Sequence, residues 1–169
     1  MHFSITYDRT VKIVTPVVLL VLIGSLLFSL LSPVDMPGPL RYLAAALLLI
    51  VMAGSICWAP KSYRVEDGRL YIDRLLSPSV EIPLADVRSV EKLDRKAFKG
   101  SIRTFGSGGF LGYFGKFYHR KLGRMTWYAT NLKKAVLLRT HDGKNYLLSP
   151  DDTNRFLAAF PANQRASGV

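Results

Sequence analysis

The sequence predicts a two-helix transmembrane hairpin followed by a mainly β domain of about seven antiparallel strands and a C-terminal helix. Uncharged apolar runs are concentrated in the first third of the 169-residue chain, whereas the remainder shows short alternating segments typical of strands. A positive mean hydropathy of +0.18 beside a formal charge of +11 indicates that apolar and charged residues occupy different parts of the chain. One cysteine and three histidines exclude a disulfide framework and a Cys-rich metal site. We therefore expect no metal and no cofactor.

The two apolar runs are long enough to cross a bilayer as helices. Residues 13–31 and 42–58 contain 19 and 17 residues without a charge, and a hydrocarbon core needs about 20 residues as a helix. The first run is longer than the core of a cleaved signal peptide, and no A-x-A-like site follows it. Between the runs, residues 32–40 contain three prolines and one glycine, which favours a tight turn. The sequence therefore predicts a helical hairpin over residues 13–58.

Basic residues near the ends of the runs predict the orientation of the hairpin. Arg9 and Lys12 precede the first run, and Lys61 and Arg64 follow the second, whereas the connection ends with Arg41 alone. Because short loops rich in Lys and Arg stay in the cytoplasm, we expect both termini to be cytoplasmic.

Residues 1–12 also carry an alternating pattern. Phe3, Ile5 and Tyr7 alternate with polar residues, which is the period of a strand. Such a strand could pair with an edge of the domain's sheet, since both lie on the same side of the membrane. A disordered terminus is the alternative.

Residues 60–160 show the pattern of a small β domain. Asp67-Gly68 suits a type I′ hairpin turn between the first two strands. A helix is predicted to begin at residues 149–152 and to end at Pro161, and residues 161–169 are expected to form a frayed tail. This order predicts an antiparallel barrel or sandwich plugged by the helix. The predicted strands are Ser62–Glu66, Arg69–Leu75, Ser79–Leu84, Val87–Leu93, Met125–Thr130, Ala135–Thr140 and Asn145–Ser149.

Several segments of this region resemble a known family. The segments are YRVEDGRLYIDR, IPLADVRSVE, RTFGSGGFLGYFGKF, YAT and LLSPDD. In this order they resemble the bacterial PH-like (pleckstrin-homology-like) domain family of membrane-anchored proteins, over about residues 60–160. The resemblance implies a PH-like fold and a non-catalytic role in the bacterial cytoplasmic membrane, and it implies no particular ligand.

Residues 92–124 are the stretch most suited to binding. They contain nine basic residues against one acidic residue, together with seven of the 13 glycines and many aromatic residues. We expect residues 95–123 to form a long connection, and connections of this length are usually functional or disordered. The candidate binding residues are Lys96, Lys99, Arg103, Phe110, Phe114, Lys116, Arg120, Lys121 and Arg124.

Nucleotide-binding motifs are absent from this glycine-rich stretch. A P-loop fails because Phe117 follows Gly115-Lys116 where Ser or Thr is required. A G-x-G-x-x-G fingerprint fails because Leu111 occupies the third glycine position. No pair of carboxylates and no Ser/His/Asp or Cys/His set has a structural reason to meet. The sequence therefore predicts a protein that is not an enzyme.

Three uses of the basic stretch remain open. Its cations could meet anionic lipid headgroups while Phe110, Leu111 or Phe114 enters the interface; it could dock a protein partner or a second copy; or its aromatic residues could simply pack over one end of the barrel. The preferred hypothesis is recognition or assembly at the cytoplasmic membrane face. A structural subunit that acts through its hairpin is a further alternative. The membrane anchor argues against nucleic acid as a partner.

Overall fold

Two long helices precede the β domain. The computed structural model describes residues 1–31 and 38–165, with α1 at Arg9–Leu31 and α2 at Gly38–Trp58. Both are long and apolar enough to cross a membrane, and 0% and 6% of their most apolar windows are buried inside the protein. Such exposure does not suit core helices of a soluble domain. Most of the predicted turn between the helices lies outside the described residues.

The β domain consists of two sheets. The first sheet, in the order β1-β2-β3-β4, is antiparallel throughout. The second sheet has the order β5-β9-β10-β8-β7-β6, and α3 (Thr153–Ala158) follows it. The strands are β1 (His2–Phe3), β2 (Pro60–Glu66), β3 (Arg69–Arg74), β4 (Val80–Pro83), β5 (Val87–Lys92), β6 (Ile102–Gly108), β7 (Tyr113–His119), β8 (Gly123–Ala129), β9 (Val136–Thr140) and β10 (Asn145–Leu148).

The strand arrangement corrects the sequence prediction in two respects. The described residues form ten strands rather than about seven, because the predicted connection 95–123 contains β6 and β7 and the N-terminal segment adds β1. The sheet is also not wholly antiparallel. The β9–β10 hairpin inserts between β5 and β8, so that β10 runs parallel to β8. The predicted class, two apolar helices followed by a β-rich domain with a C-terminal helix, is confirmed.

The core is divided between the two faces of the second sheet. Leu137 and Leu138 are adjacent on β9 and fully buried, yet they belong to different hydrophobic clusters. Successive side chains of a strand point to opposite faces. The first cluster lies between the two sheets and includes Phe156 of α3. The second lies on the other face and includes Trp127 and, from α1, Val11.

Tyr63 connects the two sheets through a buried hydroxyl. Its hydroxyl donates a hydrogen bond to the carbonyl of Tyr128 and accepts one from the backbone N–H of Ser149 at 3.0 Å. Burial, only partly offset by the hydrogen bonds with Ser149, raises the pKa of Tyr63 to about 12. The phenol therefore remains neutral and bridges the sheets as a hydrogen-bonded group.

The N-terminal segment is part of the domain. His2 and Phe3 pair antiparallel with Arg64 and Tyr63 of β2, and Phe3 meets Phe156 edge to face at 5.1 Å between ring centroids. The N-terminus therefore lies on the same side of the helical hairpin as the β domain.

The C-terminal segment departs from the predicted frayed tail as far as it is described. Ala162–Gln164 form a short 3-10 helix, and the Gln164 side chain donates to the carbonyl of Leu84 at 2.9 Å. Arg165 forms a bridge with Val90 of β5. These contacts cover the free edge of β5.

Candidate binding surface on the β6–β8 hairpins

The turn between β6 and β7 rests on the beginning of α1. The Leu111 backbone N–H donates to the Thr15 hydroxyl at 3.0 Å, and that hydroxyl lies 3.5 Å from the carbonyl oxygen of Gly109. A methyl group built on Gly109 would lie 3.5 Å from Val14. Val14 and Thr15 belong to the first turn of the predicted apolar run, so the β6–β7 turn lies beside the start of that run.

Asp8 joins α1 to the domain through several hydrogen bonds. Its carboxylate caps the helix by accepting from the Val11 N–H at 2.9 Å. It also accepts from the Tyr113 hydroxyl at 3.2 Å and from the Leu132 N–H at 3.4 Å. The Asp8 backbone N–H donates to the carbonyl of Thr130 at 3.0 Å. The first turn of α1 is therefore built into the domain.

The end of α2 is also held against the hairpin. Trp58 contacts Phe105 of β6 edge to face, with 5.6 Å between ring centroids. A single residue, Ala59, separates α2 from β2, and it is fully buried. Its carbonyl accepts from the Leu75 N–H at 2.9 Å. Both helices thus fix the position of the β6–β7 hairpin.

The register of β6, β7 and β8 arranges their side chains in three rows. Directly opposite residues of an antiparallel pair share a face. Tyr128 packs against the first core cluster, so its row lies on the side that faces the first sheet. We call this side the outer face. Its rows are Ile102, Tyr118 and Arg124; Phe105, Lys116 and Thr126; and Ser107, Phe114 and Tyr128. The first sheet and α2 cover its row that contains Phe114, which is 2% exposed, and leave the rows nearer the β7–β8 turn open.

The outer face combines exposed apolar side chains with positive charge. Ile102, Phe105 and Tyr118 are 65%, 58% and 45% exposed, which is unusual for large side chains in a sheet. The Lys116 ammonium donates to the Thr126 hydroxyl at 2.9 Å. Arg124 is exposed, and the three rows contain no acidic residue. The surface is therefore apolar and basic.

A cleft of ≈730 Å³ borders the outer face on the side of β10. Lys116, Arg124 and Lys144 line it. Lys144 forms a salt bridge with Asp142 at 2.7 Å, and hydrogen bonds from Lys144 and Thr140 lower the pKa of Asp142 to about 2. That pair supplies no net charge, so Lys116 and Arg124 make the cleft positive.

The predicted binding residues do not form one surface. Lys116 and Arg124 are exposed on the outer face, whereas Phe114, on the same face, is buried. Arg120 and Lys121 lie in the exposed β7–β8 turn. That turn is separated from the α1 contact by the length of β7, roughly 20 Å at 3.3 Å per residue.

The remaining predicted residues lie at the tip or on the opposite side of the hairpin. Phe110 is half-buried in the β6–β7 turn beside α1. Lys96 and Lys99 line a separate cleft of ≈700 Å³. Arg103 pairs with Phe117, a member of the second cluster, and therefore faces that side. The alternation of the strands separates residues that are neighbours in sequence.

Other residues of the surface were missed from the sequence. Ile102, Phe105 and Tyr118 are the exposed large apolar residues of the outer face. For Tyr118 the available signal was the alternation of Lys116 and Tyr118 with buried Phe117. Trp58 and Arg74 also border this face. They lie far from residues 92–124 in sequence, so only the tertiary structure brings them there.

Metal ligation finds no support in the described part of the chain. Within residues 1–31 and 38–165, no group of three or more His, Cys, Asp or Glu side chains is close enough to hold a metal ion. The polar chemistry of the outer face is that of ammonium, guanidinium and hydroxyl groups, which suits recognition of anionic or hydrogen-bonding partners.

The comparison with known families identifies the β domain. A family model described as "Bacterial PH domain" matches residues 61–164, which span the described strands β2 to β10, α3 and the 3-10 helix that follows it. No curated protein and no solved structure matches the chain. The match confirms the resemblance found in the sequence, and the family is generally non-catalytic. The chain belongs to the bacterial PH domain family, with two helices capable of crossing a membrane in front of the domain.

Proposed function

We propose that this protein is a non-catalytic recognition module of the bacterial cytoplasmic membrane that docks a protein partner on the outer face. Both termini lie in the cytoplasm in this proposal. The observation that carries it is the row of Ile102, Tyr118 and Arg124, which joins exposed apolar side chains to an exposed cation beside the β7–β8 turn. Exposed aromatic residues beside arginine are typical of protein interfaces.

The charge of the domain supports an acidic partner. Residues 60–169 contain 20 Lys and Arg against 10 Asp and Glu, so +10 of the chain's +11 lies there. Positive charge on the outer face favours a partner segment that carries carboxylates beside an apolar or aromatic side chain. The contacts of α1 and α2 with the hairpin support docking close to the membrane surface.

Site-specific photo-crosslinking in native membranes tests this proposal. A photoreactive residue at Tyr118 should give one discrete adduct with another protein, and Arg124→Glu or high salt should abolish it. A photoreactive residue at exposed Glu66, on the first sheet, is the control and should give no such adduct. Equal adducts at both positions, or an adduct that survives Arg124→Glu, would contradict the proposal. A product that consists of two copies of this chain would replace the partner with self-association.

Charge reversal separates the proposal from a role of the helices alone. Arg124→Glu, combined with Arg120→Glu and Lys121→Glu in the adjoining β7–β8 turn, should abolish recognition by the row of Ile102, Tyr118 and Arg124. A protein that acts only through contacts of α1 and α2 within the membrane should retain its function in this variant.

A further inference from the structure

A groove runs between α2 and the β6–β7 hairpin. It consists of two adjoining cavities of ≈310 and ≈270 Å³. Trp58, Phe105 and Phe114 line both of them. The inner cavity reaches Ile50 on α2, eight residues before Trp58. At 1.5 Å per residue it extends roughly 12 Å along the apolar helix.

The inner cavity is apolar and open along the helix. Ile50 and Val51 contribute side chains that are 65% and 58% exposed, and no charged residue lines this cavity in the described part of the chain. Gly54 and Gly106 stand in its walls. A methyl group built on Gly54 would meet nothing within 4 Å. Gly54 therefore leaves open space between α2 and β6 that a larger side chain at this position would narrow.

The outer cavity is positive. Arg74 and Lys116 line it. The Arg74 Nε donates to the carbonyl of Pro78 at 2.9 Å, and the Lys116 ammonium donates to Thr126. Among the described residues neither cation forms a salt bridge, and neither cavity is lined by Asp or Glu. Two neighbouring cations without a carboxylate favour an anionic occupant.

We propose that this groove binds one anionic glycerophospholipid of the surrounding leaflet. An acyl chain lies in the inner cavity along α2, and the headgroup phosphate lies against Arg74 and Lys116. The groove is apolar along the membrane-spanning part of α2 and cationic at the end of this helix. A phospholipid in a leaflet has the same arrangement, with its acyl chains in the apolar interior and its anionic headgroup at the surface. A soluble acidic peptide would match the cations but would leave the inner cavity unfilled. The groove shares Phe105, Phe114 and Lys116 with the outer face, but it does not include the row of Ile102, Tyr118 and Arg124 that carries the proposed protein docking.

Photoactivatable lipids test the groove in the full-length protein. The chain is reconstituted into phosphatidylcholine vesicles that contain a trace of phosphatidylglycerol or phosphatidylcholine with a photoreactive group on the acyl chain. We expect phosphatidylglycerol adducts on residues 50–58 and 105–107. Gly54→Leu should reduce them at least fivefold because the leucine fills the channel. Gly24→Leu on α1 is the matched control, since a methyl group there also meets nothing within 4 Å, and it should leave the adducts unchanged.

A charge variant tests the headgroup site. Lys116→Gln should lower the preference for phosphatidylglycerol over phosphatidylcholine by about fivefold, the effect expected of one cation near an anionic lipid. Exposed Lys92→Gln on β5 removes the same charge elsewhere and should preserve the preference.

Three results would overturn the proposal. The first is equal labelling of the wild type by phosphatidylglycerol and phosphatidylcholine. The second is labelling by phosphatidylglycerol that Gly54→Leu does not reduce. The third is a reduction in Gly24→Leu as large as the reduction in Gly54→Leu. Circular dichroism and the Tyr118 cross-link report whether Gly54→Leu retains the fold and the docking surface. A failure of the lipid site is thereby distinguished from a failure of protein docking.

Discussion

Removal of the Asp8 carboxylate tests whether α1 and the domain form one folded unit. Asp8→Ala deletes the helix cap on Val11, which contributes about 1 kcal/mol in typical cases. It also deletes the acceptor of the Tyr113 hydroxyl, and a hydrogen bond to a charged group contributes about 1.5 kcal/mol at the lower end of its range. The contact with the Leu132 N–H is longer, at 3.4 Å, and adds little. Together these losses should weaken the docking of α1 by about 2.5 kcal/mol.

Hydrogen exchange measured by mass spectrometry on the full-length protein in lipid nanodiscs provides the assay. A loss of about 2.5 kcal/mol should accelerate exchange about 70-fold in peptides that contain Val11 and Leu132, because their amides lose the Asp8 acceptor. Peptides from β2 and β3 should keep the wild-type rate. Asp86→Ala, at an exposed aspartate before β5, is the control. Unchanged exchange at Val11 and Leu132, or acceleration spread evenly over the domain, would refute the reasoning.

Three further predictions concern stability. The Arg64 guanidinium, with Ser79 and Ser62, lowers the pKa of Asp73 to about 2, so the contribution of ionised Asp73 to the free energy of unfolding is complete above the usual pKa of 3.8 and is lost as the pH falls through 2. Between pH 5 and 2 the wild type should therefore lose about 1 kcal/mol more stability than Asp73→Asn, after allowance for solvent screening. Equal losses for the two proteins in acid unfolding would contradict this. Gly106→Ala places a methyl group 2.1 Å from the carbonyl oxygen of Phe114 at φ +107°. In a denaturant titration it should lower the free energy of unfolding by more than about 2 kcal/mol. Gly143→Ala, at φ +79° with nothing within 4 Å of the new methyl group, should lower it less. Val11→Ala opens the second core cluster and should cost about 2 kcal/mol, whereas Val17→Ala, on the exposed face of the same helix, should leave thermal unfolding unchanged.

The sequence predicted local structure well where a turn motif or a run of apolar residues is typical of only one kind of element. Asp67 and Gly68 adopt φ of 50° and 70°, as the Asp-Gly pair of a type I′ hairpin requires, and β2 and β3 pair across them. The apolar runs also indicated both helices. α1 begins before its apolar run because Asp8 caps it, and caps of this kind are visible only as weak sequence preferences.

The β6–β7 hairpin was missed because its glycines contradict the usual composition of strands. In the structure Gly106 lies opposite Gly115, with φ of +107° and +115°. A methyl group on Gly106 would lie 2.8 Å from the Gly115 Cα. The glycines therefore permit a close approach of the two strands, whereas in sequence they look like a flexible connection. The pairing of Gly106 with Gly115 has no pattern in the sequence that would distinguish it from a glycine-rich loop.

The composition of the candidate site was accessible from the sequence, but its division between faces was not. Lys116 and Arg103 both lie in the basic stretch, yet β7 and β6 direct them to opposite sides of the sheet. Arg74 joins Lys116 although 42 residues separate them in sequence. Only the pairing of strands and the position of α2 determine which cations share a cavity.

The contacts of the helices with the hairpin explain why a basic surface at this place can act on a membrane or near it. A flexible linker would let the domain sample many orientations, and its length would set the distance to the bilayer. Here Thr15 binds the β6–β7 turn, Trp58 contacts Phe105, and the single linking residue Ala59 is buried. The depth of the groove and the height of the outer face are therefore determined by folded contacts. Any movement of α1 against α2 must alter these contacts, so the arrangement couples the helices directly to the surface that we propose for recognition.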